Sequence, residues 1–169
     1  MPVRTSACPG CGVHLPVTDA FAPDRYNASA ECWQLYGELS AYTLTHDDGT
    51  FLHQGAVDAY TVQHVGDRVR PITGAFALMG LYLTFERGYT GRQVQIAHGR
   101  LAARTKEWPR FIPPPHAGAA TVRDVVQTPD GAQRDQMLRQ WGAAVWDAWR
   151  DDHARIEALV RRFLDERSG

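Results

Sequence analysis

The chain has 169 residues, a formal net charge of −1, 44% hydrophobic residues and three cysteines. A chain of this length can bury a hydrophobic core as one domain without disulfide bonds. Acidic and basic residues are interspersed, so the basic cluster that marks a nucleic-acid or anionic-membrane surface is absent. We therefore predict a single domain over residues 1–169, with no nucleic-acid partner and no membrane partner.

The N-terminal residues and the apolar segments give no sign of a targeting signal or a membrane span. Residues 1–7 lead into the first cysteine motif without the apolar stretch of a signal peptide. The longest apolar segment, residues 72–85, is too short to cross a bilayer and is interrupted by Gly74, Gly80 and Thr84. An odd number of cysteines with a C-x-x-C pair favours a metal or redox role over disulfide bonds. We therefore expect a cytoplasmic protein.

Residues 1–28 are predicted to form an irregular arm that carries a zinc knuckle. Prolines and scattered glycines interrupt this segment and leave no regular helix or strand pattern. The knuckle is the sequence CPGCG at residues 8–12, in which Pro9 and Gly10 suit a tight turn that directs both thiols to one point. Two thiolates at this spacing are typical ligands of tetrahedral zinc, which takes four protein ligands when its role is structural.

Residues 29–105 are predicted to form a helical core, because apolar residues recur there at the spacing of an α-helix. The first helix begins after Asn27 or Ser29 and ends near Thr45, before a break at residues 46–49, His46-Asp47-Asp48-Gly49. Three further helices follow: about 51–65 after a Thr50 cap, Pro71 to Arg87 closed by Gly88, and about 91–104 after a Thr90 cap.

The rest of the chain is predicted to contain a proline-rich loop with a short helix, residues 106–128, and a C-terminal helix within residues 129–169. Three consecutive prolines favour an extended segment that lies across the bundle with Phe111 and Ile112 packed against it. An apolar helical stripe follows most of the C-terminal segment, with residues 150–152 as the place for a break. The predicted fold class is all-α: a single-domain bundle of about five helices with an irregular N-terminal arm.

Three tryptophans lie close together in the C-terminal segment. Trp141 and Trp149 follow its apolar stripe, which predicts that both pack in the core. Trp146 lies off the stripe, which predicts a contribution to an exposed patch of the kind that binds a partner.

Cys32 and His64 are the predicted partners of the knuckle. If the first two helices form an antiparallel hairpin around residues 46–50, residues whose numbers add up to about 96 lie side by side, because both helices rise about 1.5 Å per residue. Cys32 and His64 meet this condition, and both lie on the apolar stripes of their helices. The predicted zinc site therefore has three sulfurs and one nitrogen as ligands: Cys8, Cys11, Cys32 and His64.

Other assignments of these residues stay open at the level of sequence. Cys32 also suits an apolar core position, as free cysteines often do. His14, three residues after Cys11, and His53, on the stripe of the second helix, are rival candidates for the fourth ligand. A structural zinc ion contributes folding free energy of the order of 10 kcal/mol, and here it would fasten the arm to the helical hairpin.

Several short motifs are spread over most of the chain. They are the knuckle, the sequence ECWQLYGE at residues 31–38, the pattern HQ-x-x-VDAY-x-x-QH at 53–64, and the sequences ERG at 86–88 and VWDAW at 145–149. Together these motifs resemble a bacterial family of small uncharacterised proteins that is catalogued as a domain of unknown function. The resemblance implies a shared fold and assigns no activity and no catalytic residue.

A second candidate site consists of polar residues on helix faces that should be buried. His53 and Asp58 lie on the second helix, and His153 falls on the apolar stripe of the C-terminal segment. Helical bundles build metal centres from inward side chains, and such a set could hold a catalytic metal with an open position for water. A hydrogen-bonded core histidine is the more common case, and no H-E-x-x-H, G-x-S-x-G or glycine-rich phosphate motif is present.

Two functional hypotheses follow from these residues. The first is a helical protein with a structural zinc ion that binds a protein or small-molecule partner, or serves as an accessory module. The second is a small metal-dependent hydrolase or transferase with a site formed by His53, Asp58 and His153. The hypotheses differ in geometry, because a structural metal is closed by four protein ligands and a catalytic metal keeps one position open.

Overall fold

The computed structural model describes residues 3–46 and 49–166, and its fold is almost entirely helical, which confirms the predicted all-α class. Asp47 and Asp48, part of the predicted break after the first helix, lie outside the described residues. No helix in the described ranges is both long and apolar enough to cross a membrane. In chain order the elements are β1 (Thr5–Ala7), β2 (His14–Pro16), α1 (Ala30–Thr45), α2 (Leu52–Gln63), α3 (Pro71–Arg87), α4 (Gly91–Ala102), α5 (Val122–Gln127), α6 (Ala132–Ala148), a 3₁₀ turn (Arg150–Asp152), α7 (His153–Val160) and a π-helical turn (Arg161–Asp165).

The N-terminal arm contains a β-hairpin, so the prediction of a segment without regular structure was wrong. Strands β1 and β2 pair antiparallel, with Ser6 opposite Leu15. In the turn between them, the backbone N–H of Cys8 donates to the carbonyl of Val13 at 2.8 Å, and that of Gly12 donates to the carbonyl of Cys8 at 2.9 Å. Strands of three residues are too short to show an alternating pattern. The tight turn of the knuckle is what brings them together.

Helix ends that were predicted from capping residues are confirmed at three helices. Ser29 caps α1, since its hydroxyl accepts a hydrogen bond from the backbone N–H of Cys32 at 3.2 Å. Thr90 forms a reciprocal capping box at the start of α4. Helix α3 begins at Pro71 and is closed by Gly88, whose φ of 65° is the left-handed conformation that glycine adopts without strain.

The start of α2 differs from the prediction, because Phe51 rather than Thr50 precedes the helix. Phe51 has φ 59° and ψ 59°, and its side chain makes no capping hydrogen bond to α2. The backbone N–H of Arg92 donates to the carbonyl of Thr50 at 3.1 Å, and the Arg92 guanidinium lies 4.3 Å from the centre of the Phe51 ring. Contacts with the beginning of α4 therefore determine where α2 begins.

Helix α3 is buried along most of its length, as its apolar composition predicted, and α2 packs against both α3 and α6. Gln63 joins the end of α2 to the rest of the core. Its side-chain amide donates to the carbonyls of Ala117 and Ala120 at 3.0 and 2.8 Å, and it accepts from Nε1 of Trp141 at 3.0 Å. These bonds satisfy a buried amide and hold the end of α2, and with it His64, in place.

Two side chains have exposures that differ from the predictions. Phe111 is buried as predicted, but Ile112 is 80% exposed, since successive side chains of an extended segment point to opposite sides. Trp146 is buried although its position predicted exposure. Its Nε1 donates to Glu86 at 2.7 Å, and its ring stacks on His153 with 3.7 Å between the centroids. The 3₁₀ turn after α6 brings His153, the first residue of α7, over the Trp146 ring, and α7 packs against α3.

Candidate metal centre

The structure brings together the four predicted ligands: Cys8, Cys11, Cys32 and His64. Their potential ligand atoms all lie within 4.8 Å of one another, and all four residues are buried. Cys11 Sγ lies 3.7 Å from Cys32 Sγ, which in turn lies 3.3 Å from Nε2 of His64. Zinc–ligand bonds in a tetrahedral site place two sulfurs about 3.8 Å apart, and a sulfur and a nitrogen about 3.5 Å apart. The observed separations suit such a site and are far too long for a disulfide bond.

Three separate parts of the fold supply these four side chains. The turn between β1 and β2 carries the two cysteines of the knuckle, Cys32 lies in the first turn of α1, and His64 directly follows α2. At the other end of the helical pair, Nδ1 of His53 lies 2.8 Å from the hydroxyl of Thr43. The beginning of each helix thus contacts the end of the other, which confirms the predicted antiparallel pairing of α1 and α2.

Gly10 allows the knuckle to approach the end of α2. An added Cβ at this residue would overlap the carbonyl oxygen of Asn27 and lie 2.6 Å from Cδ2 of His64. The backbone N–H of Asn27 donates to the carbonyl of His64 at 3.0 Å, which holds the segment before α1 beside the imidazole. Gly10 was predicted as a turn residue. The structure shows that it also leaves room for the knuckle to lie against His64.

The imidazole of His64 is oriented by the backbone so that one nitrogen faces the sulfur atoms. Its Nδ1 lies 2.7 Å from the carbonyl oxygen of Tyr60. Because a carbonyl oxygen only accepts hydrogen bonds, Nδ1 carries the proton, and Nε2 presents its lone pair to Cys32. Metal-binding histidines commonly donate their other N–H to a carbonyl, which fixes the ring and makes it a stronger ligand. The Tyr60 ring also stacks on the imidazole, with 3.9 Å between the centroids.

Hydrogen bonds around the sulfur atoms favour a negative charge on one of them, that of Cys8. The backbone N–H of Ser29 points at Cys8 Sγ at 3.4 Å, and the hydroxyl of Tyr60 points at Cys32 Sγ at 3.7 Å. Hydrogen bonds from Cys11 and Cys32 lower the pKa of the Cys8 thiol, whereas hydrogen bonds to Cys11 and Cys8, together with burial, raise the pKa of Cys32. Protein groups alone thus stabilise one thiolate, whereas a divalent cation would stabilise all three. The donor set fits a metal ion that prefers sulfur ligands.

The two rival candidates for the fourth ligand lie outside this cluster. His14 is exposed on β2, and His53 contacts Thr43 and the edge of the Phe51 ring. Within residues 3–46 and 49–166, the only group of three or more His, Cys, Asp or Glu side chains close enough to hold a metal is the cluster of three cysteines and His64. We call it the Cys₃His cluster.

The residues of the second candidate site have separate local partners. Asp58 accepts a hydrogen bond from Gln54 at 3.0 Å, and its other carboxyl oxygen has no partner among the described residues. Burial raises the pKa of Asp58 well above its usual value. Nε2 of His153 lies 2.9 Å from the carbonyl oxygen of Trp146. The structure therefore does not bring these residues together with His53 as a metal site.

The fold and the site define a small helical protein with a buried Cys₃His cluster between a β-hairpin and a pair of helices. The chain belongs to a family of unknown function, DUF5946, whose model matches residues 6–150. The match includes all four residues of the cluster. Comparisons with curated proteins and with solved structures found no match. Membership confirms the resemblance to an uncharacterised family and assigns no activity.

Proposed function

We propose that this protein is a zinc-stabilised helical module that acts by binding a partner, with a structural zinc ion in the Cys₃His cluster. The convergence of four buried ligand atoms from three parts of the fold carries the proposal. Structural zinc sites are closed by four protein ligands, whereas catalytic sites keep one position for water or substrate. Four buried donors of the types that zinc prefers support the structural role.

In this proposal the zinc ion fastens the N-terminal arm to the helical bundle. A hairpin with three residues in each strand is marginally stable by itself. Its other polar anchors are exposed: the backbone N–H of Thr18 donates to Glu31 at 2.8 Å, and Arg123 donates to the carbonyl of His14 at 3.3 Å. Exposed contacts of this kind contribute little, whereas a structural zinc ion contributes of the order of 10 kcal/mol.

The state of the cysteines supports a cytoplasmic location. All three cysteines are free thiols in the structure. A reducing compartment keeps thiols available to a metal ion, whereas an oxidising compartment favours disulfide bonds. We therefore propose a cytoplasmic location.

The surface next to the knuckle supports a partner-binding role. Phe21 of the arm is 93% exposed, and Ile112 of the proline-rich loop is 80% exposed. Their sequence neighbours, Ala22 and Pro113, line one pocket of about 440 Å³, whose wall includes Pro9 of the knuckle. Exposed apolar side chains around a pocket are typical of protein-binding surfaces. The zinc ion would then hold the arm in the position in which Phe21 is exposed to a partner.

Metal analysis of the purified protein tests the zinc site. We expect one zinc ion per chain, and Co²⁺ exchanged into the site should show the visible absorption of tetrahedral cobalt with a sulfur-to-cobalt charge-transfer band. His64→Ala should change the cobalt spectrum, whereas His14→Gln is the control that should leave it unchanged. Protein that binds no metal in zinc-containing buffer, or binds cobalt with octahedral coordination, contradicts the site.

The same measurement separates the proposal from its alternative. A metal-dependent hydrolase or transferase with His53, Asp58 and His153 as ligands would hold a metal ion away from the Cys₃His cluster. A second metal ion that stays bound after Cys8 is replaced would favour this alternative. Loss of all bound metal in that variant favours the structural site.

The partner surface is tested by replacing both exposed apolar residues. The double variant Phe21→Ser/Ile112→Ser should keep the stability of the wild-type protein within about 0.5 kcal/mol, because both side chains are exposed. A partner protein that the wild type captures should, once purified, bind the wild type directly. It should bind the double variant at least tenfold more weakly. Leu44→Ser, at a position 62% exposed at the end of α1, is the matched control. Equal binding by all three proteins contradicts this surface.

A further inference from the structure

A pocket of about 320 Å³ opens between α2, α3, α4 and α6. It lies at the beginning of α2, whereas the Cys₃His cluster lies beyond the end of this helix, about 17 Å away along its axis. Pockets that bind small ligands have volumes of roughly 300 to 1,000 Å³ and mainly apolar walls. This pocket falls within that range, and no residue of the cluster lines it.

Two glycines inside helices line the pocket. Gly55 in α2 and Gly142 in α6 both line it, next to the buried side chains of Leu81 and Leu138. Glycine weakens a helix interior relative to alanine. A Cβ at Gly55 would make only an ordinary contact, 3.7 Å from Cδ2 of Leu138. A larger residue at position 55 would therefore suit the helix but would fill the pocket, so the glycine maintains open space.

One wall of the pocket holds a residue in an unfavourable backbone conformation. Phe51, with φ 59°, has the only positive φ of any non-glycine residue in the described ranges. Bulky residues rarely adopt this conformation, and those that do concentrate at ligand sites. Gly91 makes the arrangement possible, because an added Cβ there would overlap the carbonyl oxygen of Phe51. The wall is thus built at a conformational cost that capping by Phe51 itself does not explain, since its side chain makes no capping hydrogen bond.

Arg139 places a positive charge at the rim of the pocket. It follows the buried Leu138 on α6, is exposed and lines the opening. In the part of the chain that the structure describes, its guanidinium has no hydrogen bond and no ion pair, in contrast to Arg92 on the neighbouring α4, which donates to Gln95 at 2.7 Å. A free guanidinium beside apolar walls complements a ligand that combines a carboxylate with a hydrocarbon chain.

We propose that this pocket binds a small apolar monocarboxylate, such as a medium-chain fatty acid. The hydrocarbon chain lies in the space beside Gly55 and Gly142, and the carboxylate pairs with Arg139. Binding at this site is independent of the zinc ion, so the two proposals stand or fall separately.

Titration with sodium decanoate, followed by nitrogen–proton correlation spectra of the full chain, tests the pocket. Decanoate should bind with a dissociation constant of about 100 µM or tighter, and the shifted resonances should belong to residues of the pocket. Arg139→Gln should weaken decanoate binding about tenfold. The same variant should bind 1-decanol, which has the same chain without the charge, as the wild type does.

A pair of glycine variants provides the matched control. Gly55→Leu should fill the pocket and abolish decanoate binding with the fold retained. Gly99→Leu, at an exposed position in the middle of α4 with no neighbouring atom within 4 Å, should bind decanoate as the wild type does. Absence of decanoate binding, or equal binding by Gly55→Leu, overturns the proposal. A wild-type dimer in sedimentation experiments that Gly55→Leu dissociates also overturns it, because a second copy would then cover the pocket.

Discussion

Replacing Cys8 with serine is expected to abolish zinc binding and to lower the free energy of unfolding by about 5 kcal/mol or more. Three separate parts of the fold meet at the Cys₃His cluster, and the metal ion would join them by coordinate bonds. Without the ion, the remaining buried thiols and the imidazole of His64 lose the partner that compensates their burial. The Cys₃His cluster lies at one end of the pair formed by α1 and α2, so helical structure should persist in part.

The loss should be largest in the N-terminal arm. Its hairpin has two short strands, and its closest approach to the end of α2 is at Gly10, beside His64. Limited proteolysis of Cys8→Ser should therefore cleave within the arm before it cleaves the helices. A chelator added to the wild-type protein should produce the same pattern.

Urea unfolding at equal zinc concentration, followed by circular dichroism, measures this effect. Ser6→Ala is the matched control, because Ser6 is an exposed residue of β1 two positions before Cys8. It should change the free energy of unfolding by less than about 0.5 kcal/mol. If Cys8→Ser unfolds at the wild-type urea concentration and its arm resists proteolysis, the cluster has no stabilising role.

Replacing Gly80 with alanine is expected to destabilise the fold by about 3 kcal/mol. Gly80 lies in the middle of α3, where the carboxyl group of Asp58 from α2 packs against its backbone. An added Cβ would overlap one carboxyl oxygen and lie 2.7 Å from Cγ of Asp58. Because α2 and α3 form one of the main contacts of the core, they cannot separate without loss of packing elsewhere. Thermal or urea unfolding measures the change.

A double-mutant cycle shows whether Asp58 is the cause. In the background of Asp58→Ala, the same glycine replacement should cost about 1 kcal/mol or less, because the overlapping carboxyl group is gone. Gly99→Ala is the matched control, since this exposed glycine in α4 has no neighbour within 4 Å. It should stabilise the protein by up to about 1 kcal/mol through helix propensity. Equal costs of Gly80→Ala in both backgrounds would falsify the proposed contact.

Much of the candidate site could be predicted because its ligands lie at helix ends that have strong local signals. Ser29 caps α1 at its predicted position, which places Cys32 in the first turn. With a break near residues 46–50, the helical rise alone pairs Cys32 with His64, and their atoms lie 3.3 Å apart. The types of ligand and their spacing in the knuckle then supplied the rest of the cluster.

Other features could not be predicted, since they depend on contacts between distant parts of the chain. The conformation of Phe51 depends on contacts with the start of α4. The burial of Trp146 depends on Glu86 of α3 and on His153 at the start of α7. The β-hairpin of the arm is too short to have a periodic pattern. The structure does not bring His53, Asp58 and His153 together, because periodicity places side chains on inward faces without specifying which of them meet.

The sequence by itself determined the helical class, the ends of most helices and the four residues of the Cys₃His cluster, because capping residues, apolar periodicity and ligand chemistry are local properties. Only the tertiary structure decided how closely those donors approach and which nitrogen of His64 faces the sulfur atoms, since Gly10 and the carbonyl of Tyr60 control both. It also decided that glycines in α2 and α6 leave an open pocket. Space between helices depends on side chains from several elements at once, and no single segment of the chain encodes it.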